Sequence, residues 1–169
     1  MQRYDPKRHH RHSIRLPGYD YRRPGGYFIT ICAQNREAIF GRVRGGVMEP
    51  SPYGDAVIAR WRAIPRHSAR AALDSFVLMP DHLHGIIILH GEAPAPPTEG
   101  DGPRGTIPGS IPAIIQSFKS VSTRAINRMR GTPGAHVWQE DYYEHIIRDA
   151  AALDRIRRYI AANPSRWRR

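Results

Sequence analysis

Residues 75–89 read SFVLMPDHLHGIIIL. Ser75 to Met79 suits a pleated, half-buried surface, Pro80-Asp81 suits a tight turn, and His82 to Leu89 turns apolar again. The stretch therefore reads as strand, turn, strand. Its second strand ends in an unbroken apolar run, the pattern of a strand covered on both faces. Upstream, Tyr27 to Gln34 (YFITICAQ) follows Pro24-Gly25-Gly26 and reads as another strand. Pro52 to Ile64 places Ala56, Val57, Ile58, Ala59 and Trp61 near helical spacing and stops at Pro65. Downstream, Ser110 can cap a helix that has Pro112 near its first turn. Ile114, Ile115, Phe118, Val121, Ala125, Ile126 and Met129 continue it to Gly131. A strand centred on Tyr142 to Ile147 leads to Asp149, an N-cap for a last helix from Ala150 to Ala162, ahead of Pro164. The order β, α, β, β, α, β, α predicts an α+β fold: a ferredoxin-like split βαβ with an antiparallel sheet and one added C-terminal helix.

A chain of 169 residues fits a single domain, residues 1–169. Residues 1–24 read as a basic arm with His9, His10 and His12 in a short cluster, and residues 90–111 as a flexible Gly/Pro-rich loop. Lys and Arg number 26 against 15 Asp and Glu, a net charge of +11, and Lys7 and Lys119 are the only lysines. Arginine's planar fork matches phosphate oxygens, so this balance points to a polyanion, nucleic acid first. The lone Cys32 excludes an internal disulfide and the usual cysteine-based zinc sites. No apolar stretch is long enough to cross a bilayer, and residues 1–15 lack the apolar core of a secretory signal. A cytoplasmic location, away from membranes, is the expectation.

His82-Leu83-His84 is the sharpest chemical feature. Side chains at i and i+2 of a strand share one face, so both imidazoles project together, half of a metal site. Alone, the pattern also fits two unrelated histidines at a strand start. On the last helix, at about 100° per residue, Leu153, Ile156 and Ile160 form the buried stripe. Tyr159 and Asn163 fall side by side on its border, with Ala152 leaving room beside the phenol. Such a tyrosine is ordinarily packing, and Asn163 equally suits a helix stop. Cleaving a phosphodiester without water needs a covalent nucleophile, which a tyrosine supplies, and a cation to polarise the phosphate. Asp81 reads as the turn residue after Pro80, or as an outer partner that orients a ligand.

Five stretches in order carry a family resemblance: RLPGYDYRRPGGYFITICAQNRE (15–37), VLMPDHLHGIII (77–88), FKSVSTRAIN (118–127), VWQEDYYEHIIR (137–148) and RRYIAANP (157–164). Together they resemble the REP-associated tyrosine transposases, of the insertion-sequence superfamily marked by His-hydrophobic-His and one tyrosine. The resemblance runs from about Arg15 to Trp167. It implies that Tyr159 is the nucleophile of a 5′-phosphotyrosine intermediate. His82 and His84 would be metal ligands, Asn163 a third, amide ligand, and magnesium or manganese the cofactor. It rejects Tyr142 and Tyr143 as nucleophile, because the active phenol sits on the final helix. The implied function is a transposase that cleaves and rejoins single-stranded hairpin DNA, acting as a monomer or homodimer. Arg22, Arg23, Lys119, Arg124 and Arg148 are then expected phosphate contacts, with Tyr19 and Tyr21 as stacking surfaces. The alternatives are a hairpin-binding module without catalysis and a metal-dependent hydrolytic nuclease.

Overall fold

The computed structural model describes residues 16–93, 95 and 106–168. His9, His10 and His12, most of the basic arm and half of the 90–111 loop lie outside the described residues. Chain order is β1 (Gly25–Cys32), β2 (Gly41–Arg44), β3 (Val47–Pro50), α1 (Pro52–Arg62), α2 (Ile64–His67), β4 (Ala71–Met79), β5 (His82–Leu89), α3 (Ile111–Arg130), β6 (Tyr143–Ile147) and α4 (Ala150–Arg166).

The main sheet has the order β4-β5-β1-β6, and each neighbouring pair is antiparallel. That is the split βαβ arrangement expected from the element order. Period-2 alternation divides the side chains between two faces. Tyr27, Ile29, Ile31, Leu83, Ile87 and Leu89 enter the larger core with Trp61 of α1 and Phe118 of α3. Phe28 and Ile86 point the other way and pack with Ile160, Leu153 and Ile156 of α4. β5 is thus covered on both sides, which is why its sequence is apolar without alternation. Gly85 has no side chain for a packing reason: a Cβ there would lie 2.3 Å from Cζ2 of Trp61.

Ser110 caps α3 by accepting the amide of Ala113, Gly131 ends it in a left-handed conformation at φ 66°, and Asp149 caps α4 through the amide of Ala152. Three expectations need correction. The helix from Pro52 ends at Arg62, and Pro65 then sits in the first turn of the separate α2, where its missing N–H costs nothing. β4 begins at Ala71 and contains a register shift between Leu73 and Phe76, so it is longer than 75–79. α4 runs through Pro164 to Arg166. Only the last turn follows that proline, so a single lost helical bond is tolerated there. The structure also adds the β2–β3 hairpin, turned by Gly45 and Gly46 at φ 57° and 77°. Among the described residues, no helix is long and apolar enough to cross a membrane.

Candidate active site

His82 and His84 stand at the start of β5, on the face that α4 covers, and both are buried at 6% exposure. Their Nε2 atoms converge to 3.1 Å. Each ring is held from behind at Nδ1. His82 Nδ1 lies 2.6 Å from the Asp81 carboxylate, and His84 Nδ1 lies 2.7 Å from the Thr30 hydroxyl on the paired strand β1. Asp81 does both things its sequence position suggested: it occupies the turn after Pro80, and its buried carboxylate orients His82. Its second oxygen is 3.2 Å from Nε of Arg36. Asn35 and Arg36 both adopt positive φ, 53° and 57°, in the turn that follows β1. The left-handed geometry is uncommon for such residues.

α4 delivers the phenol. The Tyr159 hydroxyl lies 3.3 Å from Nε2 of His84, while the side chain remains 44% exposed. Phe28 sits beneath this meeting point. Its ring stacks on His84 at 5.5 Å and takes Tyr159 edge-on at 6.0 Å. The structure therefore brings Tyr159, His82 and His84 together within one chain. Asn163 is one turn further along α4, and its side-chain amide donates to the carbonyl of Tyr159 at 3.1 Å. The Trp167 ring closes the far side of His82 at 6.0 Å. Burial first, then the charges of His82 and Arg36, push the His84 pKa down to about 3, so the ring is neutral near pH 7.

The donor set fits a divalent cation. Two nitrogens that share an ion at about 2.0–2.1 Å each must lie within roughly 4 Å of one another, as these do. Both rings also have the outer-sphere partner that metal-ligating imidazoles ordinarily carry on the other nitrogen. Among the described residues, no third His, Cys, Asp or Glu joins them.

The expected DNA contacts lie elsewhere. Arg22, Arg23 and Arg148 flank the opposite end of β1 and β6, since Gly25 pairs with Leu89 and Gly26 with Ile147 whereas Cys32 pairs with His82. At about 3.3 Å per residue that end is roughly 25 Å from the histidines. Arg22 is paired with Asp20 at 2.8 Å, and Arg23 lies over the Tyr19 ring at 5.8 Å. Lys119 on α3 donates to the carbonyls of Gln139 and Glu140 at 2.6 and 2.8 Å, fastening the segment before β6. Arg124 is exposed beside it and lines an open cavity of about 810 Å³, set against α3 rather than against the histidines. Tyr21 is buried and accepts the amide of Leu16, so its ring presents no face to a base. Tyr19 is half-buried against the core.

Sequence reasoning missed Thr30, Arg36 and Phe28. Thr30 and Phe28 share the inward face of β1 with the histidines, a signal that pairing register would have supplied. Arg36 carries no such signal, because a left-handed turn places it.

No family model matches the chain. An uncharacterized protein of Haemophilus influenzae is 37% identical over 171 residues, covering 98% of this chain and 94% of its own length. Among solved structures, a REP-associated tyrosine transposase bound to a REP hairpin superposes with a TM-score of 0.61 at 18% identity, over 89% of this chain and 73% of the other. A candidate transposase of Deinococcus radiodurans aligns at a TM-score of 0.48 and 17% identity, over 86% of this chain and 94% of its own.

Proposed function

The chain belongs to one family with the Haemophilus influenzae protein and has the fold of the REP-associated tyrosine transposases, and from that premise we propose that it is a tyrosine transposase acting on single-stranded, hairpin-forming DNA. The observation that carries the reading is the approach of the exposed Tyr159 hydroxyl to 3.3 Å from Nε2 of His84, beside a second imidazole nitrogen.

The Tyr159 oxygen attacks the scissile phosphorus, forming a 5′-phosphotyrosine bond as the bond to the 3′-oxygen breaks. The phenolic proton leaves to solvent, and the departing 3′-oxygen takes one up. One phosphoester replaces another, so a free 3′-hydroxyl can reverse the step and rejoin a strand. His82 and His84 would hold a magnesium or manganese ion, with the Asn163 amide oxygen as the third protein ligand. When bound, that ion supplies polarisation of a non-bridging phosphate oxygen. Asp81 and Thr30 fix the two rings so that both Nε2 atoms face one point. Phe28 keeps water from the inner side of the phenol.

The test incubates the protein with a labelled DNA hairpin bearing a single-stranded flank, in magnesium or manganese, and resolves products under denaturing conditions. A protein–DNA adduct is expected, lost in Tyr159→Phe with folding unchanged by circular dichroism. Cleavage that persists in Tyr159→Phe would point to a water nucleophile. Binding without cleavage would point to a non-catalytic DNA-binding module.

A further inference from the structure

The histidine-bearing face of the sheet is only partly roofed. α4 begins over Ile147 and crosses toward β4, where Arg157 grips Asp74 through two hydrogen bonds of 2.9 and 2.7 Å. The first part of β6 is left open. Among the described residues β6 is the outer strand of the sheet, with no further strand beside it. Pairing register sets His84, Thr30 and Tyr143 in one transverse row on this face, and Ile86, Phe28 and His145 in the next. At about 4.8 Å between strands, Tyr143 stands roughly 10 Å from His84 along its row.

Tyr143 is 42% exposed, one of the few large aromatic side chains among the described residues that the core does not cover. Its ring is not loose. Phe28 takes it edge-to-face at 6.3 Å and 70°, as the same Phe28 ring takes Tyr159 and stacks on His84. One buried aromatic thus sets the orientation of the metal-ligand candidate, the phenol and the exposed ring. His145 is exposed one row along, and Arg155, one turn before Tyr159 on the same flank of α4, is exposed across the opening. An oriented aromatic face beside a cationic side chain such as Arg155 is the combination that binds single strands, with bases stacking on the ring and phosphates meeting the cation.

We propose that Tyr143 is a base-stacking platform: an unpaired nucleobase beside the scissile phosphate lies on the exposed face of its ring. This rests on the reading of the site as one that takes single-stranded DNA. The platform tolerates any base, because every base has a π face and the contact reads none of its edges.

The test uses the full chain in chelator, so that binding is read without chemistry. A set of hairpin oligonucleotides carries 2-aminopurine at successive unpaired positions. Fluorescence quenching on binding is expected at one position near the stem, lost in Tyr143→Ala, retained in Tyr143→Phe and deepened in Tyr143→Trp. Affinity should fall by about tenfold or more in Tyr143→Ala. Tyr143→Leu keeps the packing on Phe28 without an aromatic face, so it too must lose the quench if stacking rather than folding is at stake. Equal affinity and an unchanged quench pattern in the Ala and Leu variants would overturn the proposal. The adduct assay is separate and is run on the parent protein with magnesium. Absence of any adduct in the parent protein would sink the strand-transfer reading, while the quench would still report on Tyr143.

Discussion

His84 holds three partners at once: the Thr30 hydroxyl at Nδ1, and both His82 and the Tyr159 hydroxyl at Nε2. Burial of the ring has a measurable consequence. Its pKa in the fold is about 3, against about 6.5 for an unfolded chain. Between those values the unfolded chain takes up a proton that the folded ring refuses. The associated stability is whole above about pH 6.5 and drains away as pH falls toward 3. In chelator, the thermal midpoint should decline across that window, and His84→Gln should flatten the decline. An equally steep curve in the variant would mean that His84 is already protonated in the fold. Little of this was legible beforehand. The i, i+2 spacing puts both imidazoles on one face, but the choice of Thr30 and Asp81 as partners depends on which strand lies alongside.

At the scale of elements, α4 decides whether the site exists. Tyr159 reaches His84 because the helix is pinned on its other flank, where Arg157 meets Asp74 in the irregular stretch of β4. The guanidinium holds the Asp74 carboxyl down to about 2. The pair is largely open to solvent, so its removal should cost little stability. Its effect on chemistry should be larger, because a small displacement of a nucleophile is expensive. Arg157→Ala should slow adduct formation about tenfold or more while leaving DNA affinity close to that of the parent. Asp74→Asn should do the same, and the double variant should add little. Full additivity of the two rate losses would show that the residues act separately. The helix itself was readable from Asp149 and the Leu153, Ile156, Ile160 stripe. Its continuation past Pro164 and its clamp to β4 were not, since residues 83 positions apart in sequence make the clamp.

For the molecule as a whole, part of the charge of +11 stands far from the histidines. Arg22, Arg23 and Arg148 gather at one end of the sheet, and the histidines lie at the other. A strand that reaches the phenol and also meets this basic end must cross the molecule, touching several phosphates on the way. Each neutralised phosphate of a single strand contributes about −0.7 to the slope of log affinity against log salt, so a footprint of about six phosphates gives roughly −4. Arg148→Ala should make the slope shallower by about one phosphate's worth, measured by anisotropy across a salt series. Tyr143→Ala should lower affinity with the slope unchanged, because stacking releases no counterions. A slope that Arg148→Ala leaves untouched would place the DNA path away from that end.

The order of the main-sheet strands and the long helices, the caps at Ser110 and Asp149, the shared face of His82 and His84 and the border position of Tyr159 all follow from the chain itself. They are local: turn chemistry, a period of two and a period of 3.6 need no distant partner. Which strand supplies Thr30, how Arg36 reaches Asp81, where α4 is clamped, and which tyrosine besides Tyr159 stands open beside the histidines are settled only in three dimensions. Those features depend on register and on a backbone turn, and both are decided when separated segments pack against one another.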